Sequence, residues 1–191
     1  MNTDAELVAQ IREGNLEAFE ALYHKYKGQI FRTALAITRD QGAAEEILQD
    51  CFVRAYRHMD RVDGSLPLSP WLHRIAINLS RSWLSRHNHW YTPLEKVVDQ
   101  LACPLQNQPD HLAEHRDFMA IVQGAMDSLS FNQRVVLVLF YLWGYSLAEI
   151  AYVLDCPVGT VKSRLHYGRA NLRRKLVSDE QWGRELVYEF T

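Results

Sequence analysis

Residues 144–172 read GYSLAEIAYVLDCPVGTVKSRLHYGRANL. Ser146-Leu147-Ala148-Glu149 is a capping box, in which a hydroxyl and a carboxylate three residues later satisfy each other's backbone N–H groups at a helix start. Leu147, Ile150, Ala151 and Leu154 then recur at the spacing of a buried helical stripe. Asp155-Cys156-Pro157-Val158 breaks that helix, and its proline helps to begin the next one. The second helix turns Val161, Leu165 and Leu172 inward. Two short helices, a turn of about four residues and a basic second helix make a helix-turn-helix, whose second helix enters the DNA major groove with its first turns. Lys162, Ser163, Arg164, His166 and Tyr167 are the candidates to reach base edges or phosphates. Arg169, Arg173, Arg174 and Lys175 are better suited to phosphates, where charge supplies affinity without reading sequence.

Charge sharpens this reading. The whole chain of 191 residues carries a formal charge of −2, which argues against a uniformly basic nucleic-acid coat. Counted by segment, however, Thr160 to Lys175 holds six Lys and Arg and no acid, whereas residues 176–191 hold four acids against Arg184. A basic helix is thus hidden inside a neutral average. Its competing reading is a solvated helix face with no DNA partner.

Outward from this unit, helical periodicity dominates. Glycine is scarce, and Asp63-Gly64 lacks the flanking alternation of a hairpin. Thr3-Asp4-Ala5-Glu6 caps a short helix that stops at Gly14. Leu16, Phe19, Leu22, Tyr23, Tyr26, Ile30, Phe31, Ala34 and Leu35 lie along one face of a long helix. Asp40 caps a helix over 41–59. Ser69-Pro70 is expected to cap and open another helix over 70–88, with Leu72, Ile75, Ala76, Leu79 and Trp83 as its stripe. Ser130 caps a helix running through Val135–Phe140 to Gly144. Pro93, Pro104 and Pro109, with clustered Gln and Asn, mark a flexible linker. The expected architecture is all-α: two helical domains, 1–92 and 111–191, joined by linker 93–110.

The stretch PVGTVKSRL, residues 157–165, resembles region 4 of the extracytoplasmic-function sigma factors of bacterial RNA polymerase. AEEILQDCFVRAY (44–56) is similar to region 2.2 of that family, and WLHRIAINL (71–79) to the start of region 2.4. The resemblance covers about residues 15–90 and 115–175. It implies a region 2 domain that binds core polymerase and recognises and melts the −10 element. It also implies a region 4 domain that reads the −35 element.

On the 41–59 helix, Glu46, Gln49, Asp50, Val53, Arg54 and Arg57 face away from the apolar stripe. By resemblance this face binds the clamp helices of the β′ subunit, with region 4 meeting the β flap. Loop 60–69 and helix 70–88 would handle the −10 element through Arg74, Asn78, Arg81, Ser82 and Arg86, since Asn reads a base edge bidentately and Arg holds phosphates. The family also implies an anti-sigma factor, commonly membrane-anchored, and a stress or metal-resistance regulon, cobalt and nickel resistance among them. Ser82 stands where the family often has Asp, and Tyr167-Gly168 where Arg-Ala is common, which leaves the promoter sequence open.

Other function classes find little support. Cys51, Cys103 and Cys156 show no CxxC spacing, as expected of a reducing, cytoplasmic compartment. His87/His89 and His111/His115 lack a third ligand at metal-binding spacing. No nucleophile elbow, P-loop or dinucleotide fingerprint occurs. The expectation is a non-enzymatic protein without cofactor, metal or small-molecule substrate. The rival is a duplex-binding helix-turn-helix regulator that acts without core polymerase.

Overall fold

The computed structural model describes residues 3–63, 67–87, 124, 126 and 128–177. Linker 93–110, the acidic C-terminal segment and His89, His111 and His115 lie outside them. All regular elements among the described residues are helical. The chain divides into two compact units, taken in turn below.

In the first unit, α1 spans Asp4–Arg12. The Glu6 N–H donates to Thr3 Oγ1 at 3.3 Å, while Glu6 Oε2 accepts the Thr3 N–H at 2.8 Å. Gly14, at φ +87°, supplies the left-handed residue that ends the helix and turns the chain. The second helix, α2 (Leu16–Thr38), is capped by Asn15, and α3 (Gln41–Arg57) by Asp40, whose Oδ1 accepts the Ala43 N–H at 2.7 Å. A single 3₁₀ turn, Met59–Arg61, follows before α4 (Leu68–Arg86).

The core is apolar side chains of α2, α3 and α4, including Leu22, Ile30, Leu35, Ile47, Cys51, Leu72 and Ile77, all essentially without solvent exposure. Each such Leu or Ile contributes roughly 1.5–3 kcal/mol relative to an exposed position. Leu16, expected on the inner face, is 66% exposed, because it is the first residue of α2 and precedes the packed turns. Helix α4 begins two residues ahead of the Ser69-Pro70 expectation, with Pro67 at its cap. Pro70 still falls in the first turn, where its missing N–H breaks no helical bond. The burial of α4 is also wider than its apolar stripe: His73, Ile77 and Ser80 are enclosed as well.

The second unit contains α5 (Phe131–Leu137), a π-helical turn (Val138–Leu142), α6 (Leu147–Leu154) and α7 (Val158–Val177). Ser130 and Gln133 form a capping box at α5, and Ser146 and Glu149 form the one at α6. The π turn was not legible in the run Val135–Phe140, which fits an uninterrupted α-helix. Gly144, at φ +66°, closes it. Between α6 and α7, Asp155 takes φ +51°, and the Cys156 N–H donates to Ala151 O at 3.1 Å. The inward positions expected for α7, Val161, Leu165 and Leu172, are all buried. Gly168 joins them: a Cβ there would stand 3.3 Å from Leu137 Cδ1, so its small size permits the close approach of α5 and α7.

Candidate polymerase and promoter surfaces

On α3, Glu46, Gln49, Asp50, Val53, Arg54 and Arg57 are all exposed. At about 100° per residue they fall within one broad arc opposite Ile47, Cys51 and Ala55. Val53 is 49% exposed at the centre of this charged face. Tyr56, one turn on, is 44% exposed, with its ring edge-on to Phe19 at 5.0 Å. Sequence reasoning missed Tyr56. The signal was its i, i+3 spacing from Val53, which puts two apolar groups beside each other. An aromatic and an aliphatic group framed by both signs of charge suit a specific protein partner.

On α4, Arg74, Asn78 and Arg81 fall in one stripe about 60° wide, with Ser82 and Arg86 beside it. Asn78, Arg81, Ser82 and Arg86 are exposed. The Ser82 hydroxyl donates to Asn78 O at 3.0 Å, and Arg86 Nε donates to Ser82 O at 3.3 Å. Trp71 and Trp83 are half-buried rather than core, and Trp83 stacks on the His87 ring at 4.4 Å.

Behind this face, His73 is wholly enclosed. Its Nδ1 lies 2.8 Å from Ser69 O and its Nε2 3.1 Å from Thr33 Oγ1. The neutral ring satisfies both contacts, donating from Nδ1 and accepting at Nε2. Burial pushes its pKa down to about 4, against a smaller upward pull from the Ser69 backbone.

On α7, Lys162, Ser163, His166, Tyr167, Arg173, Arg174 and Lys175 are exposed. Helical geometry puts all but Lys175 within about 140° of arc. Arg164 and Arg169 stand apart from them, on opposite borders of the buried face. Arg164 is half-buried, with Nη1 3.6 Å from Cys156 Sγ. The Arg169 guanidinium lies over the rings of Phe140 at 5.1 Å and Tyr141 at 5.4 Å. The nine α7 residues expected on DNA thus separate into seven exposed ones and two flanking arginines that also brace the fold.

Residues 22–89 match the family described as Sigma-70 region 2, and residues 119–172 match Sigma-70, region 4. The extracytoplasmic-function (ECF) RNA polymerase sigma factor SigW of Bacillus subtilis is 31% identical over 176 residues, covering 88% of this chain and 94% of SigW. The chain belongs to the extracytoplasmic-function sigma factors. As a sigma factor it directs promoter-specific transcription together with core RNA polymerase. Among solved structures, that of CnrH in complex with the cytosolic domain of CnrY aligns with a TM-score of 0.71 at 26% identity, covering 94% of this chain and all of that one. The sigma factor RpoE of Bartonella quintana, solved with the anti-sigma factor NepR, aligns at 0.67 and shares the fold at 21% identity, covering 85% of this chain and 98% of that one. The α3 and α4 faces lie in the part of this sigma factor that matches region 2, and α7 in the part that matches region 4. Sigma factors of this family initiate transcription without being enzymes. No helix among the described residues is long and apolar enough to cross a membrane.

Proposed function

We propose that the exposed face of α3 binds the β′ clamp helices of core RNA polymerase, with Val53 and Tyr56 as its apolar centre and Glu46, Gln49, Asp50, Arg54 and Arg57 as its rim. Loop 60–69 and the α4 stripe of Arg74, Asn78, Arg81, Ser82 and Arg86 engage the −10 element. The outward row of α7 enters the −35 major groove, and the second unit also meets the β flap. Residues 1–92, 93–110 and 111–191 act as region 2 domain, linker and region 4 domain.

The observation that carries this reading is the one-sidedness of the three helices. Each buries its apolar arc and presents a polar face suited to a different partner. Mechanistically, extruding a −10 base from the duplex costs a few kcal/mol. Binding of the freed strand, anchored by −35 contacts and by polymerase, offsets that cost. The protein works in the cytoplasm with no cofactor, metal or small-molecule substrate and no catalytic activity of its own. An anti-sigma factor, anchored in the membrane, holds it inactive by covering these faces. The partner-bound states in which CnrH and RpoE were solved support such control. The regulon is one of stress or metal resistance, cobalt and nickel among its candidate signals.

The test is reconstitution with purified core polymerase and fragmented genomic DNA. The expected result is promoter-dependent RNA, with selected fragments sharing two spaced motifs. Absence of both promoter-dependent RNA and core binding overturns the reading. Equal DNA selection with and without core would favour a free-standing helix-turn-helix regulator, against which the region 2 match already weighs.

A further inference from the structure

Helix α1 carries two side chains that reach the two ends of the segment joining α3 to α4. Arg12 donates from Nε to Met59 O at 3.2 Å, and from Nη2 to Asp60 O at 3.4 Å and to Val62 O. At the far end, Asp4 Oδ2 accepts the Leu68 N–H at 3.2 Å, at the first residue of α4. The same carboxylate is held by the Tyr26 hydroxyl and by Lys25 Nζ, each at 2.6 Å. Asp4 and Arg12 are separated by about two turns, or roughly 12 Å of rigid helix. Leu7, Val8 and Ile11 seat that helix in the core, and Met59, Val62 and Leu68 are buried at the points it grips.

We propose that α1 is a brace that sets the separation and orientation of these two ends, making Arg12 and Asp4 positioning residues for −10 strand recognition. The inference rests on the assignment of loop 60–69 and α4 to the −10 element. A helix face that must be oriented on binding loses affinity by that ordering. Fixing the turn at Met59–Val62 and the first residue of α4 in the free protein holds the α4 stripe of Arg74, Asn78 and Arg81 in one orientation before DNA arrives. The planar guanidinium suits the task, because its fork addresses three carbonyls that a lysine ammonium cannot match in geometry. Neither residue needs to touch DNA.

The experiment uses holoenzyme reconstituted from the full chain and core polymerase. The probe is a fluorescent single-stranded oligonucleotide carrying the non-template −10 sequence of a promoter recovered by selection, beside the same strand with its −10 bases substituted. Arg12→Ala should weaken binding of the matched strand roughly tenfold, the equilibrium factor for re-ordering about one backbone residue. It should also reduce discrimination between the two strands, while core affinity and −35 duplex affinity stay within about twofold of the unsubstituted chain. Arg12→Lys should recover part of the loss. Asp4→Asn, which leaves Arg12 intact, should act in the same direction. Unchanged strand affinity in Arg12→Ala and Asp4→Asn, or losses that merely track loss of core affinity or of thermal stability, overturn the brace. Asn78→Ala with Arg81→Ala separates the two ideas. If that pair weakens strand binding and the α1 variants do not, only the brace falls. If that pair is silent, the −10 assignment falls and the brace with it.

Discussion

His73 sits inside the first unit as a neutral ring with both nitrogens engaged. In the unfolded chain its pKa returns to the ordinary 6.5, whereas in the folded chain burial holds it near about 4. Between those values the unfolded state binds the proton and the folded state does not, so acid favours unfolding. Its contribution is therefore fully present above about pH 6.5 and lost as pH falls toward 4, amounting to roughly 3 kcal/mol over that window. Urea unfolding of the protein and of His73→Gln at pH 7 and pH 5 should show the larger pH slope in the unsubstituted chain. Asp4 also loses its contribution in acid, but for a different reason. Burial pushes its carboxyl up, but hydrogen bonds from Lys25, Tyr26 and the Leu68 N–H, with the Lys25 charge, outweigh this and hold its pKa below the ordinary value. Its contribution is present above the ordinary carboxylate range and lost in acid.

Two more predictions belong to single side chains. Lys162 stands in the outward row of α7, whereas the Arg169 guanidinium is over Phe140 and Tyr141. Lys162→Ala should reduce the slope of log affinity against log salt by about one for a −35 duplex. Arg169→Ala should change that slope less and lower thermal stability by about 1 kcal/mol through the lost cation–π contacts. Equal slope changes would show that both side chains sit on phosphate in the complex. Cys51 is buried in the core, and burial pushes its thiol up to about 12, so it should resist alkylation at pH 8 until the protein unfolds. The half-buried Cys156 should label before Cys51. Mass spectrometry of digested, pulse-labelled protein reads the order directly.

Among the elements, the capping motifs were the most legible features. Thr3, Asp40, Ser130 and Ser146 each mark a helix start within one residue of where it occurs, because a cap is a local exchange of hydrogen bonds that needs no distant partner. Ser146→Ala should destabilise the second unit by about 1 kcal/mol, read as a lower midpoint in thermal unfolding. The start of α4 was misjudged at Ser69-Pro70 because the helix gains its first turn from the burial of Leu68 and its tie to Asp4. The π turn at Val138–Leu142 was invisible for a related reason. The extra residue in that turn sets Phe140 half-buried and Tyr141 and Leu142 toward solvent, where α7 lays Arg169 across the two aromatic rings.

For the whole molecule, the faces proposed for polymerase and for the −35 duplex fall on separate units. Asp50→Arg should weaken affinity for core polymerase by about tenfold or more, by placing like charge where the rim meets its partner. It should leave −35 duplex binding by α7 unchanged, measured by competition for core and by fluorescence anisotropy respectively. Loss of both together would mean that the α3 face does not act independently.

The sequence by itself determined the helical architecture, the helix-turn-helix and the family. Periodicity, caps and the motifs at 44–56, 71–79 and 157–165 are written in neighbouring residues, and neighbouring residues fix local structure. The polar faces of α3, α4 and α7 were legible for the same reason, since about 3.6 residues per turn sort inward from outward positions without knowledge of the neighbours. Only the tertiary structure decided which polar groups are enclosed and which are shared between helices. His73 against Thr33, Arg169 on the π turn, Gly168 against Leu137 and the grip of Asp4 and Arg12 on the ends of the α3–α4 segment all join residues 28 to 64 positions apart. Contacts between distant positions depend on how helices pack, and no local pattern encodes them.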